Sequence, residues 1–173
     1  MDETDRLLAD LAAWDAARAR QDEAWLRRQA EEEARFTGVA LDLAEQADTV
    51  TVLSTTGRRH HGRIVAVAED FLAMRTAGSA PVLLPYTAVA AVRPSPGGTT
   101  TGSSRAPLLG MRFVHALAGM AAERPRIAVV VHGGESTSGE LQSVGVDVLT
   151  LRLEGAVVVH MRVDAIAEVT VFG

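Results

Sequence analysis

The densest group of side chains able to bind an anion or a metal ion is the run Arg58-Arg59-His60-His61, which is followed by Arg63. Arginine guanidinium groups form paired hydrogen bonds with phosphate, so this run is typical of a contact with RNA or DNA. A solvated hairpin edge explains the same residues, and the net charge of −5 for the whole chain favours that simpler interpretation. Adjacent strand residues point to opposite faces, so His60 and His61 are poorly placed to chelate one metal ion.

No set of residues has the spacing of a catalytic site. The chain contains no cysteine, which excludes thiol nucleophiles, disulfides, thiolate zinc sites and iron–sulfur clusters. Its serines and histidines are scattered, and the sequence has no nucleophile elbow, P-loop or dinucleotide-binding motif. We therefore expect a non-enzymatic protein with no cofactor and no metal.

Two further pairs of charged residues recur at one fixed spacing, Asp70 with Asp147 and Arg75 with Arg152. Recurrence suggests a function, but a repeated scaffold keeps its structural residues equally well. We interpret these four as hairpin-end or sheet-face structure, the usual role of exposed charged groups.

Tyr86 is the only tyrosine. Its ring could stack on a base, although burial of the ring is the simpler interpretation.

The recurring pairs belong to an internal repeat. A shift of 77 residues aligns 36–96 with 113–173 without a gap, and fourteen of the sixty-one aligned positions are identical. The identities fall on turn glycines and apolar core positions together, which chance similarity would not select. Each copy predicts a short helix, at about 36–47 and 108–123. Five strands follow in each copy, and in the first they are predicted at 49–54, 59–68, 71–76, 81–86 and 88–93.

The second strand of each copy has an irregular apolar pattern. Apolar residues follow Gly62 and Gly139 at positions +2 and +5. A regular strand with period two does not give that spacing, so we expect a bend or bulge there.

The order of helix, V-x-V strand, turn, G-R-x-x-x-G-x-I-x-x-V strand and hydrophobic third strand resembles the Sm-like (LSm, Hfq-like) fold. From Thr49 to Val67 these residues run T-V-T-V-L-S-T-T-G-R-R-H-H-G-R-I-V-A-V. The resemblance covers both copies and implies two tandem Sm-like five-stranded bent β-barrels, each preceded by a short α-helix. It also implies self-association, because family members commonly form rings by pairing the fourth strand of one subunit with the fifth strand of the next. Other small SH3-like barrels share part of the pattern and serve as protein-interaction modules, so the fold alone does not decide the function.

The resemblance also locates the uridine pocket of RNA-binding family members, which is formed by an Asp, an Asn and an Arg-Gly pair. The positions aligned with the Asp and the Asn hold Ala68, Gly145, Leu72 and Leu149. The Arg-Gly position falls on Pro85-Tyr86 and on Arg162-Val163, so only Arg162 is retained. The usual pocket is therefore expected to be lost. Together with the basic run, this leaves as candidate nucleic-acid contacts Arg58, Arg59, His61, Arg63 and Arg162.

The chain begins with a segment that strongly favours a helix. Residues 2–35 contain no Gly or Pro and are rich in Ala, Leu, Arg, Glu and Gln, which predicts a long N-terminal α-helix. One stripe of this arm carries the candidate docking residues Leu7, Leu11, Trp14, Trp25 and Phe36. Polar residues interrupt the stripe, which favours docking on the protein or a partner over a self-associating coiled coil. Whether the helix continues through Gly38 into the first module is left open.

These observations divide the chain into an N-terminal helical arm at 1–35, a first repeat at 36–93, a linker at 94–106 and a second repeat at 107–173. The linker is rich in Pro, Gly, Ser and Thr, which predicts a flexible tether. No apolar run reaches the roughly 18 to 20 residues that span a bilayer, and the N-terminus is acidic where a signal peptide would be basic. We expect a cytoplasmic protein with no membrane association.

The sequence thus predicts a binding or assembly protein built on tandem Sm-like modules and associated with RNA or DNA. The alternative is a protein–protein adaptor or oligomeric scaffold that binds no nucleic acid. Residues 36–173 carry twelve acids and eleven arginines, so nucleic-acid binding would need a local basic patch. Pro85 removes a hydrogen-bond donor from the fourth strand of the first copy, so we expect the second copy to supply the stronger pairing edge.

Overall fold

The computed structural model describes residues 35–46, 49–78, 80–96 and 109–172, together with Arg18, Arg20 and Glu23, which are helical. Two α-helices lie in the described segments, α1 at Phe36–Glu45 and α2 at Phe113–Ala121. The strands of the first half are β1 Thr49–Ser54, β2 Arg59–Val67, β3 Phe71–Thr76, β4 Pro81–Pro85 and β5 Val89–Pro94. Those of the second half are β6 Arg126–Val131, β7 Ser136–Val144, β8 Val148–Arg152, β9 Val158–Arg162 and β10 Ile166–Phe172. Short 3-10 helices span Tyr86–Ala88, Glu154–Ala156 and Val163–Ala165.

The two halves repeat element by element. Each α-helix and strand of the second half begins 77 residues after its counterpart in the first. The predicted strands of the first copy are confirmed to within one residue at either end, because turn glycines and strand alternation are local signals. The helices are shorter than expected, and α2 begins at Phe113 and not at residue 108.

All ten strands form one open antiparallel sheet in the order β5-β1-β2-β3-β4-β10-β6-β7-β8-β9. Each half keeps the same internal order of fifth, first, second, third and fourth strand. The halves meet where β10 pairs with β4, with Val169 opposite Leu83 and Thr170 opposite Val82. We call this pairing the seam. It leaves β5 and β9 at the two edges of the sheet.

The predicted fold class, two tandem Sm-like five-stranded bent β-barrels with a long N-terminal α-helix, is wrong. The ladder continues across the seam, so the two halves share one sheet. Separate modules would leave β4 and β10 with unpaired backbone groups, and the seam pairs those groups instead. The helices described are the two short ones; apart from the three helical positions named above, the predicted arm helix lies outside the described residues.

The start of α1 answers the question of helix continuity. Arg35, the residue before α1, has an extended backbone with φ −110° and ψ 149°. The helix therefore begins at Phe36 and does not run into the module from the arm through Gly38. Gly38 lies inside α1 and is buried.

Buried side chains form two cores, and the second crosses the seam. The first core joins α1 to the inner faces of β1–β4, with Leu41, Leu43 and Val52 among its members. The second core lies under α2 and includes Phe71 and Leu83 from the first half. The ring of Phe71 meets that of Phe113 edge to face, with 5.7 Å between centroids. The first half thus completes the core of the second.

The expected bend in the second strand of each copy is confirmed. The register shifts between Ile64 and Ala66 in the β2–β3 pair, and between Leu141 and Ser143 in the β7–β8 pair. Just before the bulge, a Cβ added to Gly62 would lie 2.1 Å from the carbonyl oxygen of Arg75. This close approach explains why both copies have glycine at that position.

Candidate nucleic-acid interface

The basic run predicted from the sequence is divided by the alternation of β2. Arg59, His61 and Arg63 are exposed on one face of the strand, whereas His60 and Ile64 point inward and are buried. His61 Nδ1 lies 3.1 Å from the hydroxyl oxygen of Thr51 on the neighbouring strand. Three of the five candidate contacts therefore share one exposed strand face.

Neighbouring strands add two more arginines to this face. Arg75 of β3 lies directly opposite Arg63 in the ladder, and Arg93 of β5 lies opposite Thr51, the ladder partner of His61. Both arginines are exposed. Directly opposite residues have Cβ atoms about 4.5–5.5 Å apart, so the basic side chains of β2, β3 and β5 form one patch, in which Thr51 of β1 lies between Arg93 and His61. We call this patch the basic face; it consists of Arg59, His61, Arg63, Arg75 and Arg93.

The charge of the basic face is not balanced by the described part of the chain. None of its four arginines forms an ion pair with a described acid; the arginines that do so are Arg58, Arg112, Arg126, Arg152 and Arg162. Like charges directly opposite in a ladder repel each other, so the Arg63–Arg75 pair does not stabilise the isolated sheet. An anion placed between the two guanidinium groups would turn this repulsion into attraction.

The corresponding face of the second half is neutralised. The counterpart of Arg63 is Glu140, whose carboxylate accepts hydrogen bonds from Arg152 at 3.1 Å and from Gln142 at 2.8 Å. The hydrogen bond from Arg152 holds the pKa of Glu140 below its usual range. Arg126 pairs with Glu154 at 3.2 Å. Glu140, Arg152, Arg126 and Glu154 line a cavity of about 240 Å³ together with Arg124, so acids and arginines are interleaved there.

Arg58 has a different role from its neighbours. His60 Nε2 donates to Glu168 Oε2 at 2.9 Å, and Arg58 Nε lies 3.4 Å from the same oxygen. Glu168 belongs to β10 and is 1% exposed, while His60 is 8% exposed. We call these three residues the seam cluster. It fastens the first hairpin to the last strand, and the sequence pattern did not indicate it.

The remaining predicted contacts lie away from the basic face. Arg162 is exposed on β9, at the far end of the strand order, where it pairs with Asp164. Tyr86 donates its hydroxyl hydrogen to the Ala68 carbonyl oxygen at 2.7 Å, and its ring meets Phe36 edge to face at 5.4 Å. Burial raises the pKa of Tyr86 to about 12. Its ring is therefore part of the packing.

Of the five predicted docking residues, the structure describes only Phe36. It is the first residue of α1 and is 36% exposed. Leu7, Leu11, Trp14 and Trp25 lie outside the described residues.

A second cavity, of about 480 Å³, lies at the seam. Its charged lining consists of Asp70, Asp147 and Asp164 with Arg112, and His132 also faces it. The excess of carboxylates disfavours phosphate there.

In the described segments, no three His, Asp or Glu side chains are grouped as metal ligands. No helix in these segments has the length and apolar character to cross a bilayer.

The chain matches no protein-family model and no curated protein.

Proposed function

We propose that this chain is a non-enzymatic binding and assembly protein built of two Sm-like halves, and that its basic face binds the phosphates of RNA or DNA. The observation that carries the proposal is the group of four exposed arginines and one histidine with no described acidic partner. Two findings support the Sm-like relationship: each half has the strand order fifth, first, second, third, fourth, and the seam pairs a fourth strand with a fifth.

The dimensions of the basic face suit a short stretch of nucleic-acid backbone. Arg59 and Arg63 are four residues apart on β2, which is about 13 Å along the strand. Arg93 and Arg75 lie three strand spacings apart, about 14 Å across the sheet. No described Phe, Tyr or Trp side chain belongs to the basic face. Binding by charge without base stacking predicts little sequence preference.

Binding is tested by fluorescence anisotropy with labelled single-stranded RNA and DNA over a series of salt concentrations. If all four arginines contact phosphates, log affinity should fall against log salt with a slope of about −3. The double variant Arg63→Gln/Arg75→Gln should weaken binding at least about tenfold and reduce the slope by about half.

The second half supplies a matched control. The double variant Arg126→Gln/Arg152→Gln removes the same number of charges, but from arginines that are already paired with Glu154 and Glu140. It should leave most of the affinity intact. Equal losses from both double variants would mean that net charge alone governs binding, and no binding to either polymer at low salt would overturn the proposal.

The open edges favour self-association as the second part of the function. β5 and β9 each pair on one side only, and an unpaired edge is a template for another strand. Val157, the residue before β9, and Val158, its first residue, are 54% and 51% exposed. Sedimentation of the full chain should show mass rising with concentration in the micromolar range. A monomer at all concentrations would contradict this part alone; the cytoplasmic location stays a prediction.

A further inference from the structure

Arg124 has a backbone conformation that is unusual for its residue type. It lies between α2 and β6 with φ +50°, in the left-handed region that favours glycine. Among the described residues other than glycine, Ala156 is the second one in this region, at φ +61°. Arg124 lines the cavity of about 240 Å³ in the second half, and Ala156 follows two residues after Glu154 of the same cavity. Strain of this kind is concentrated at functional sites, so the cavity is a candidate binding site.

The guanidinium group of Arg124 is available to a ligand. The side chain is exposed and forms no ion pair with a described acid. It also lies close enough to act on Glu140. The hydrogen bonds from Arg152 and Gln142 lower the pKa of Glu140 most, and the charge of Arg124 lowers it further. Arg124 therefore brings a positive charge without its own acid to the cavity.

The floor of the cavity is a row of opposite charges that strand register sets. Arg126 of β6 lies directly opposite Glu140 of β7, and Glu140 lies directly opposite Arg152 of β8. Arg152 Nη2 lies 3.1 Å from both carboxylate oxygens of Glu140. Arg126 Nη2 donates to Glu154 Oε1 at 3.2 Å, and the other oxygen of Glu154 has no described partner. Both arginines therefore keep free donors, and Glu154 keeps a free acceptor.

The first half forms the same strands without three of these charges. The residues 77 positions earlier are uncharged: Ala47, Thr49 and Ala77 stand in place of Arg124, Arg126 and Glu154. Thr49 begins β1 as Arg126 begins β6. The three charges are therefore not required by the scaffold that the two halves share.

The charges of the cavity define the kind of ligand that fits it. Three guanidinium groups and two carboxylates line it, which gives a net charge of +1. A simple anion would also meet both carboxylates, and a simple cation would meet all three guanidinium groups. A zwitterion can place each of its charges against the opposite one, and a second carboxylate on the ligand balances the remaining positive charge. The volume of about 240 Å³ equals that of about eight water molecules in the liquid, which suits a small metabolite.

We propose that this cavity binds a free α-amino acid with an acidic side chain. The carboxylates of the ligand pair with Arg124 and with the free donors of Arg126 and Arg152, and its ammonium group pairs with Glu154. The site lies on the second half and does not depend on nucleic-acid binding by the basic face. Because the charged groups are exposed, we expect a Kd on the order of 1 mM.

Saturation-transfer NMR with L-glutamate tests binding to the full chain, because it observes the ligand and does not depend on the size of the protein assembly. Glutamine lacks the second carboxylate and glutarate lacks the ammonium group, so each should bind at least about fivefold more weakly than glutamate. Equal binding of glutarate and glutamate would show that the acids of the cavity take no part, and equal binding of glutamine would exclude the second carboxylate. Either result overturns the proposal.

Two substitutions of Arg124 separate binding from folding. Arg124→Gly relieves the strain, so it should raise the Tm by about 2–4 °C while glutamate affinity falls at least about tenfold. Arg124→Gln removes the charge but keeps a side chain in the left-handed region, so it should lose affinity to the same degree without a rise in Tm. The matched control is Arg162→Gln, which removes an exposed arginine that pairs with Asp164 on the same half. It should leave glutamate affinity unchanged.

The combination of affinity and Tm decides the result. Lower affinity together with a higher Tm in Arg124→Gly supports the proposal, because a purely structural role of Arg124 would lower both. Glutamate binding that survives both substitutions of Arg124 overturns it, since the ligand would then lie elsewhere. Absence of binding at about twenty times the expected Kd also overturns it. The double variant Arg63→Gln/Arg75→Gln should bind glutamate as the unchanged chain does, so failure of the basic face to bind nucleic acid would leave this site standing.

Discussion

His60 and His61 show how strand alternation separates two adjacent and identical residues. His61 joins the exposed basic face, while His60 points inward and bonds to Glu168, a carboxylate that is 1% exposed. Removing a hydrogen-bond partner of a buried carboxylate is costly because the carboxylate remains desolvated. We therefore expect His60→Ala to lower the free energy of unfolding by about 2–4 kcal/mol, since Arg58 still offsets part of the charge.

The matched control for this prediction is His61→Ala, which removes only an exposed hydrogen bond to Thr51. Its effect should stay within about 0.5 kcal/mol. Chemical denaturation of both variants measures the difference. Equal effects would show that the seam cluster does not stabilise the fold.

Tyr86 gives the fold a dependence on alkaline pH. Its pKa is raised from 10.0 to about 12 by burial. Between these values the unfolded chain loses the phenolic proton and the folded chain keeps it, so stability falls as pH rises from 10 towards 12. Tyr86→Phe should cost about 1 kcal/mol at neutral pH through the lost hydrogen bond to Ala68. It should also flatten the alkaline decline, and parallel pH profiles in urea unfolding would refute this explanation.

Gly62 and Gly119 differ in the space available for a side chain, so substituting each by alanine tests whether the glycine is required there. A Cβ at Gly62 would lie 2.1 Å from a backbone oxygen of β3, whereas one at Gly119, inside α2, meets no atom within 4 Å. Gly62→Ala should therefore destabilise by roughly 2–3 kcal/mol, because β2 and β3 must separate. Gly119→Ala should stabilise by about 0.5–1 kcal/mol through better helix propensity. Thermal unfolding of both variants provides the comparison.

At the level of elements, the sequence predicts features that depend on neighbouring residues and misses features that depend on residues far apart in the chain. Strand positions and the bulge after Gly62 were predicted because turn glycines and apolar alternation act over a few residues. Arg59, His61 and Arg63 were placed together for the same reason. Arg75 and Arg93 were missed because their proximity depends on the register between strands, which a single strand does not encode. Arg58 was assigned to the interface because its partner, Glu168, is distant in sequence.

At the scale of the molecule, the sequence did not reveal that the two halves share one sheet. The resemblance implied pairing of a fourth and a fifth strand between subunits, and the seam makes that pairing within the chain. The strand propensity, the turn residues and the apolar alternation of a sequence do not depend on whether β4 pairs with β10 of the same chain or of another chain. The prediction of separate barrels is wrong on this point because the choice depends on tertiary contacts such as the seam cluster.

Phe71 and Leu72 provide the test of whether the halves fold as one unit. They are adjacent on β3 but belong to different cores: Leu72 packs in the first and Phe71 in the second, against Phe113. Phe71→Ala should lower the free energy of unfolding by about 3–5 kcal/mol. Because the lost packing lies under α2, hydrogen exchange should accelerate in α2 and in β6–β8, although the substitution is in the first half.

Leu72→Ala is the comparator, with an expected loss of about 2–5 kcal/mol. Its packing lies in the first core, so exchange by local opening should accelerate mainly in α1, β1 and β2. If Phe71→Ala left exchange in the second half unchanged, the ring contact across the seam would not couple the two halves. The shared sheet would then join two independent folding units. If both variants shift one cooperative transition while their local effects fall in opposite halves, the seam makes the ten strands a single folding unit.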